Sequence, residues 1–468
     1  MTSKNHLRTL SGLILLLIMA LSHGQSLPTL PEDDNQLAYE IYKELIETNT
    51  THSVGDNTLA AEKIARWLRA AGFPQEDIFI GGKKEKKGNL VARLHGTGAN
   101  KPFILLAHLD VVEAKRADWT MDPFTLHETD GYFYGRGTID DKAQAAINTA
   151  NMIRMKRDGY RPNRDIILAL TADEEGGGNN GVYWLLQQHP NLIDGVFALN
   201  EGGYGLIQDG QRIANSIQTA EKIYESFTVT ATNPGGHSSI PRRDNAIYVL
   251  SEALLNIREY DFPLIFNDVM RLGFESLAQI SPGQLGEDLK AILREPPDPQ
   301  ALARLGQIPS INALLRTTAV ATMLEAGHAP NALPQSATAV VNVRMMPGQD
   351  VADVLDTLVK VVDNAAIDVV FTGGGRPSDP SPLTAEIIDA VESTTQEMWP
   401  GVVVLPTMTT GATDGAKMRN AGIPTYGVSG LFTDRNDVRA HGRDERLLVK
   451  SFYEGYEFMY RLIRKLSS

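Results

Sequence analysis

Phe103-Ile-Leu-Leu-Ala-His108-Leu-Asp110 is the stretch that decides the fold. Five apolar residues run into a histidine and an aspartate with no turn former between them. An unbroken apolar run of this length reads as a strand buried on both faces, as in a parallel sheet covered by helices. In a strand, residues two apart share a face, so His108 and Asp110 point the same way. The same pattern recurs downstream. Asp165–Asp173 is apolar and runs into Glu174 and Glu175, and Val196–Asn200 runs into Glu201. Asn89–Leu94 adds a further strand. The Lys142–Arg157 and Gly181–Gln188 stretches fit between the strands as helices.

Strands alternating with helices predict an α/β fold, a mostly parallel sheet with helices on both faces. Such sheets place their sites at the carboxyl ends of strands, where these acidic and histidine motifs fall. Ahead of them, Leu37, Ile41 and Leu45, then Ile64 and Leu68, recur at helical spacing, with Gly72 as a stop signal. From about Ser226 the pattern changes. Ser226–Thr232 and Ala337–Met345 alternate as half-buried strands do, and a helix is expected around Ala246–Arg258. These features predict an inserted α+β domain over residues 217–347, between catalytic-domain segments 36–216 and 348–468. In the second segment, Ile367–Thr372, Val402–Pro406 and Pro424–Val428 are expected to rejoin the first sheet, and a helix is expected from Glu445 to Leu466. Lys83–Lys87 reads as a solvated charged turn.

The N-terminus carries Lys4 and Arg8, an apolar run from Leu13 to Leu21, and small residues at Ser22 and Gly24. This is the pattern of a secretory leader over residues 1–24, too short for a comfortable membrane span, followed by a linker over 25–35. An exported protein, periplasmic or secreted, is expected. With no cysteine in 468 residues, disulfides and a lipid-modified cysteine are excluded. Net charge is −13, which argues against nucleic acid as a partner.

Two further motifs complete a set. Gly135-Arg-Gly-Thr-Ile-Asp140-Asp141-Lys142 offers adjacent aspartates, one able to bridge two cations and the other suited to cap a helix. Ala440-His441-Gly-Arg-Asp-Glu445 offers a histidine at a turn. A two-cation hydrolytic site needs a histidine and a carboxylate for each ion, a shared carboxylate, and one carboxylate kept free for the proton of the attacking water. In the inserted domain, His237 on the Pro234-Gly-Gly turn could polarise a carbonyl oxygen, and the Arg344 fork suits a carboxylate. A two-domain binding protein would share the leader, the acidity and the hinge, but would have no need of Glu174-Glu175 beside two histidine motifs.

With all five motifs in view, the chain resembles the dinuclear zinc family of carboxypeptidase G, acetylornithine deacetylase, succinyl-diaminopimelate desuccinylase and aminoacylase. Its Gly-Arg-Gly-Thr and Asp-Asp-Lys forms look most like the carboxypeptidase S and secreted N-acyl amino acid hydrolase branch. The resemblance implies two zinc ions, or cobalt or manganese, held by His108, Asp140, Glu175, Glu201 and His441, with Asp140 bridging. It implies Glu174 as general base, Asp110 orienting His108, and His237 at the scissile carbonyl. Asn331 and Arg344 match positions that bind substrate carboxylate. The implied activity is hydrolysis of a small peptide near its free carboxylate, or of an N-acyl amino acid at the same site. In shorter relatives the inserted domain often makes the dimer; the Glu259–Ser310 segment is longer here than in those members, so the resemblance leaves a homodimer through this domain possible without implying it.

Overall fold

The computed structural model describes residues 27–176 and 178–468; the leader expected over 1–24 lies outside them. Among the described residues the largest sheet has ten strands. At its centre Asn100–His108 lies between Arg164–Thr171 and Ala198–Asn200, parallel to both. Thr425–Gly427 continues the parallel run beyond Ala198–Asn200. Ile78–Gly82 and Gly88–Leu94 add an antiparallel ribbon at one side. The apolar residues of the three central strands are buried, as double-sided covering requires.

Lys142–Arg157 and Gly181–Gln188 are helices with the expected bounds. Lys142–Arg157 is alanine-rich and buried around nearly its whole girth, because it is sandwiched between the sheet and the helices Asp34–Ile46 and Val449–Leu466. The first of these starts inside the stretch read as a linker, capped by Asp33, whose side chain accepts from the Gln36 amide. The last helix begins at Val449, because Arg446–Leu448 pairs as a strand with Tyr132–Tyr134. Glu445 therefore lies outside the helix.

A second sheet of four strands runs Thr318–Ala326, Ser336–Met345, Ile223–Thr232, Ile367–Gly374. Helices Ala246–Glu259 and Val351–Val362 cover one face over a core that includes Phe227, Val229, Val341 and Leu358. Ile367–Gly374 thus differs from expectation. It pairs antiparallel with Ile223–Thr232 and does not rejoin the first sheet, so the four-stranded unit extends to about residue 374, past the expected boundary at 347. No residue of this strand is fully buried, so its sequence carries no mark of the sheet it joins.

The segment between these strands is also unlike a simple lid. Helices Asp268–Ile280, Gly283–Ile292, Pro299–Leu305 and Pro309–Leu315 bury Met270, Phe274 and Leu289 together with Ala220 and Met408 of the first sheet. Gly273 lets the first of these helices close on strand Val403–Thr409, since an added Cβ would lie 2.5 Å from the Pro406 carbonyl oxygen.

Candidate metal centre

The carboxyl ends of the central strands bring the sequence motifs to one place. His108 is the last residue of its strand, Glu174 and Glu175 follow Arg164–Thr171, and Glu201 follows Ala198–Asn200. Asp140 arrives from the loop before helix Lys142–Arg157, and His441 from the loop after Phe432–Asp434.

Asp140 stands at the middle. Its Oδ1 is 3.0 Å from His108 Nε2, and its Oδ2 is 3.0 Å from His441 Nε2. Each imidazole has a second carboxylate: Glu201 Oε2 lies 3.6 Å from His108 Nε2, and Glu175 Oε1 lies 3.0 Å from His441 Nε2. Asp140 thus links two imidazole–glutamate pairs, and among the described residues two trios lie close enough to hold an ion: His108, Asp141 and Glu201, and His108, Asp140 and Glu175. Ligand bonds of about 2.0–2.1 Å to one ion would put neighbouring donor atoms roughly 3.3 Å apart, so the spacing is that of groups able to ligate a cation.

Electrostatics support the fit. Burial, reinforced by Glu201, pushes Glu174 well above the usual carboxylate range. Burial raises Glu201 to about 7 despite His108. Asp141 is also driven well up, by burial and then by Glu201. His441 is raised to about 10 by its bonds to Asp140 and Glu175. His108 is raised as well: burial opposes its charge, but Glu201 and Asp140 outweigh it. Bound cations would take the place of these imidazole protons and stabilise the buried carboxylates in their charged form.

The geometry redistributes two expected roles. The imidazole Nδ1 of His108 lies 3.0 Å from the carbonyl of Asp110, and the Asp110 carboxylate is farther off at 3.8 Å. The two oxygens of Asp110 instead accept the Glu174 and Glu175 amides, each at 3.0 Å. Asp110 therefore orients the paired glutamates more directly than the imidazole. Asp141 occupies the N-cap position of its helix without a side-chain cap bond; its Oδ2 accepts the His108 amide at 3.3 Å.

The inserted unit stands apart from this cluster. His237 is exposed, with Nδ1 bonded to the Ser239 hydroxyl at 2.7 Å. Asn331 is beside it on the paired turn, accepting the Ser238 amide through its carbonyl at 3.1 Å. Among the described residues no hydrogen bond or ion pair joins either side chain to the carboxylates. Arg344 comes closer to the catalytic unit: its guanidinium lies 4.7 Å from the centroid of the Tyr224 ring, and Nη1 is 3.5 Å from the carbonyl of Thr410, just before the Gly411–Asp414 loop. Asp414 itself accepts from Asn180 Nδ2 at 2.7 Å and Thr171 Oγ1 at 3.1 Å, and pairs with Lys417 at 3.1 Å.

Some site-supporting residues carry no recognisable signal in sequence. Lys87, read as part of a solvated turn, is buried and pairs with Asp173 at 2.8 Å. Asp173 has a left-handed backbone, φ 61°, immediately before Glu174. It also accepts the Asn179 amide at 3.0 Å and contacts His52 at 3.2 Å. Burial raises Asp173, but Lys87 outweighs it and the carboxylate stays low.

Residues 104–465 match the family model described as Peptidase family M20/M25/M40. Probable carboxypeptidase S-like 2 of Dictyostelium discoideum is 31% identical over 78% of this chain and 71% of its own length. N-fatty-acyl-amino acid synthase/hydrolase PM20D1 of Xenopus tropicalis is 28% identical over 97% of this chain and 93% of its own length. Among solved structures, the M20 family metallo-carboxypeptidase Sso-CP2 from Sulfolobus solfataricus superposes with a TM-score of 0.67 at 16% identity, covering 93% of this chain and 99% of that one. That likeness is one of fold.

Proposed function

The chain belongs to peptidase family M20/M25/M40, a family of metal-dependent hydrolases, and from that premise we propose a two-metal amidohydrolase that cleaves an amide bond close to a free carboxylate. The observation that carries this reading is Asp140, whose two oxygens face two imidazoles, each backed by its own glutamate. His108, Asp140 and Glu201 would hold one ion; Asp140, Glu175 and His441 would hold the other. Zinc suits this nitrogen and oxygen set, as do cobalt and manganese. Cations held there supply Lewis acidity and lower the pKa of water toward neutrality.

The protein's own groups do the rest. Among the described residues Glu174 has no counter-ion in contact, and its backbone is held to Asp110, so its carboxylate is free to take the proton of the attacking water and pass it to the leaving nitrogen. Burial raises its proton affinity, which suits a group that must both accept and return a proton near neutral pH. Arg344 has no carboxylate partner among the described residues and would bind the substrate carboxylate, with Asn331 alongside. His237 would reach the scissile carbonyl when the inserted unit closes on the cleft.

The carboxypeptidase S-like relative supports a peptide substrate. The near end-to-end match to an N-fatty-acyl-amino acid hydrolase supports an N-acyl amino acid at the same site. The leader pattern supports export to the periplasm or medium. Thr318–Ala326, an edge strand with Val320, Met323 and Leu324 exposed, supports homodimer formation through the inserted unit.

The test is metal content and turnover on dipeptides and N-acyl amino acids, each with a free or amidated C-terminus. Two ions per chain, cleavage that stops on chelation, and loss of turnover on amidation are expected. Glu174→Ala should keep both ions and lose turnover by at least about 10²–10⁴-fold, the usual size of a general-base contribution. Normal turnover in that variant removes Glu174 from the mechanism.

A further inference from the structure

Arg136 and Glu445 form a buried ion pair that reaches the backbone on both sides of one half of the centre. Glu445 Oε1 accepts the Ile139 amide at 2.9 Å and the Asp140 amide at 3.3 Å. Its Oε2 takes Arg136 Nη1. Arg136 Nη2 then donates to the carbonyl of Gly442 at 2.9 Å and to that of His441 at 3.3 Å. Trp119 packs 5.0 Å from the guanidinium carbon. One pair of charges thus ties the Asp140 loop to the His441 loop, two segments about 300 residues apart in sequence.

The two halves of the centre need this help unequally. His108 and Glu201 sit at the ends of hydrogen-bonded strands in the middle of the large sheet, so the ladder fixes them. His441 belongs to an irregular loop and has a left-handed backbone, φ 64°, which a residue with a Cβ holds only when its surroundings impose it. The Arg136 fork bonds the carbonyl of that residue and of the next, and is therefore placed to impose it.

We propose that Arg136, anchored by Glu445, is a positioning residue for the metal subsite formed by Asp140, Glu175 and His441, and that it sets the affinity of that subsite while leaving the His108–Glu201 side at its own strength. This rests on the two-metal reading. Removing a group that orients a metal ligand typically weakens affinity by about 10–100-fold, and here the loss should fall on one of two binding steps. Lysine cannot replace the fork, because a single ammonium on a shorter reach cannot span Glu445 and two carbonyls at once.

The experiment is calorimetric titration of zinc into metal-free protein, with cobalt absorption spectra as a second readout of ligand geometry. Wild type, Arg136→Lys and His441→Ala are compared, and folding is checked by circular dichroism. The wild type should take up two ions. Arg136→Lys should keep one step unchanged and weaken the other by about 10–100-fold, the same step that His441→Ala abolishes. If Arg136→Lys does not fold, Glu445→Gln decides, since it retains an oxygen for the Ile139 and Asp140 amides but releases the arginine; it should weaken the same step. A folded variant in which both steps fall together, or neither changes, overturns the proposal while leaving the two-metal reading intact. A wild type that binds fewer than two ions overturns the two-metal reading, and the proposal with it.

Discussion

Asp110→Asn separates two ways in which the centre could be held together. If Asp110 works by orienting His108, its loss should disturb the His108 side. If it works through the amides of Glu174 and Glu175, as the 3.0 Å bonds indicate, its loss should fall on those glutamates. Asparagine has the same shape but only one side-chain oxygen, so one of the two amides meets an NH2 group. A hydrogen bond to a charged acceptor contributes about 1.5–3 kcal/mol, and a buried N–H left unsatisfied costs about 1–3 kcal/mol. Some of this relaxes by a small shift of the turn, so a net penalty of about 3 kcal/mol on glutamate placement is expected. At about 1.4 kcal/mol per decade this is roughly a hundredfold loss of kcat/KM. The orientation of His108 should change little, because its Nδ1 has a backbone carbonyl at 3.0 Å. The assay is kcat/KM under saturating zinc together with stepwise zinc affinity, using His108→Ala and His441→Ala to assign the steps. An Asp110→Asn enzyme within about threefold of wild type, or one whose defect lies wholly in the His108 step, would refute the reasoning; each is distinct from the roughly hundredfold loss worked above.

Lys87→Met should lower stability by about 2–4 kcal/mol, less than the full penalty for breaking a buried pair because Asp173 keeps the Asn179 amide and His52; an unchanged thermal midpoint would contradict this. Chelation should lower the thermal midpoint, since zinc at a hundred times its dissociation constant adds about 2.7 kcal/mol to the folded state; equal midpoints with and without chelator would mean that no ion is held. Glu225 is buried in the inserted unit, neither of its oxygens is hydrogen-bonded among the described residues, and burial raises it to about 7. The folded protein therefore keeps a proton that the unfolded chain releases near pH 4.3, so this contribution to stability is full below about pH 4.3 and is lost as pH rises through about 7. Glu225→Gln should be level across that window relative to wild type in denaturant titrations on metal-loaded protein, and parallel curves would count against it.

The sequence by itself determined the catalytic sheet and the positions of its chemistry. Phe103–Ala107 and its neighbouring apolar runs could be satisfied only by burial on both faces, and their polar ends marked where donors would emerge. It also marked candidate ligands, because histidines and carboxylates at the ends of buried strands are costly without a cation. It left open how those residues divide. That Asp140 turns one oxygen to each imidazole, and that Asp110 gives its oxygens to two amides, depends on side-chain directions fixed by loops, which no spacing rule encodes. Ile367–Gly374 joined the second sheet because its hydrogen-bonding partner, Ile223–Thr232, lies more than a hundred residues earlier, and pairing at that distance leaves no local trace. The pairing of Lys87 with Asp173 and of Arg136 with Glu445 was invisible for the same reason. A lysine in a charged run and a Gly-Arg-Gly turn look solvated until the chain folds and brings Asp173 or Glu445 against them.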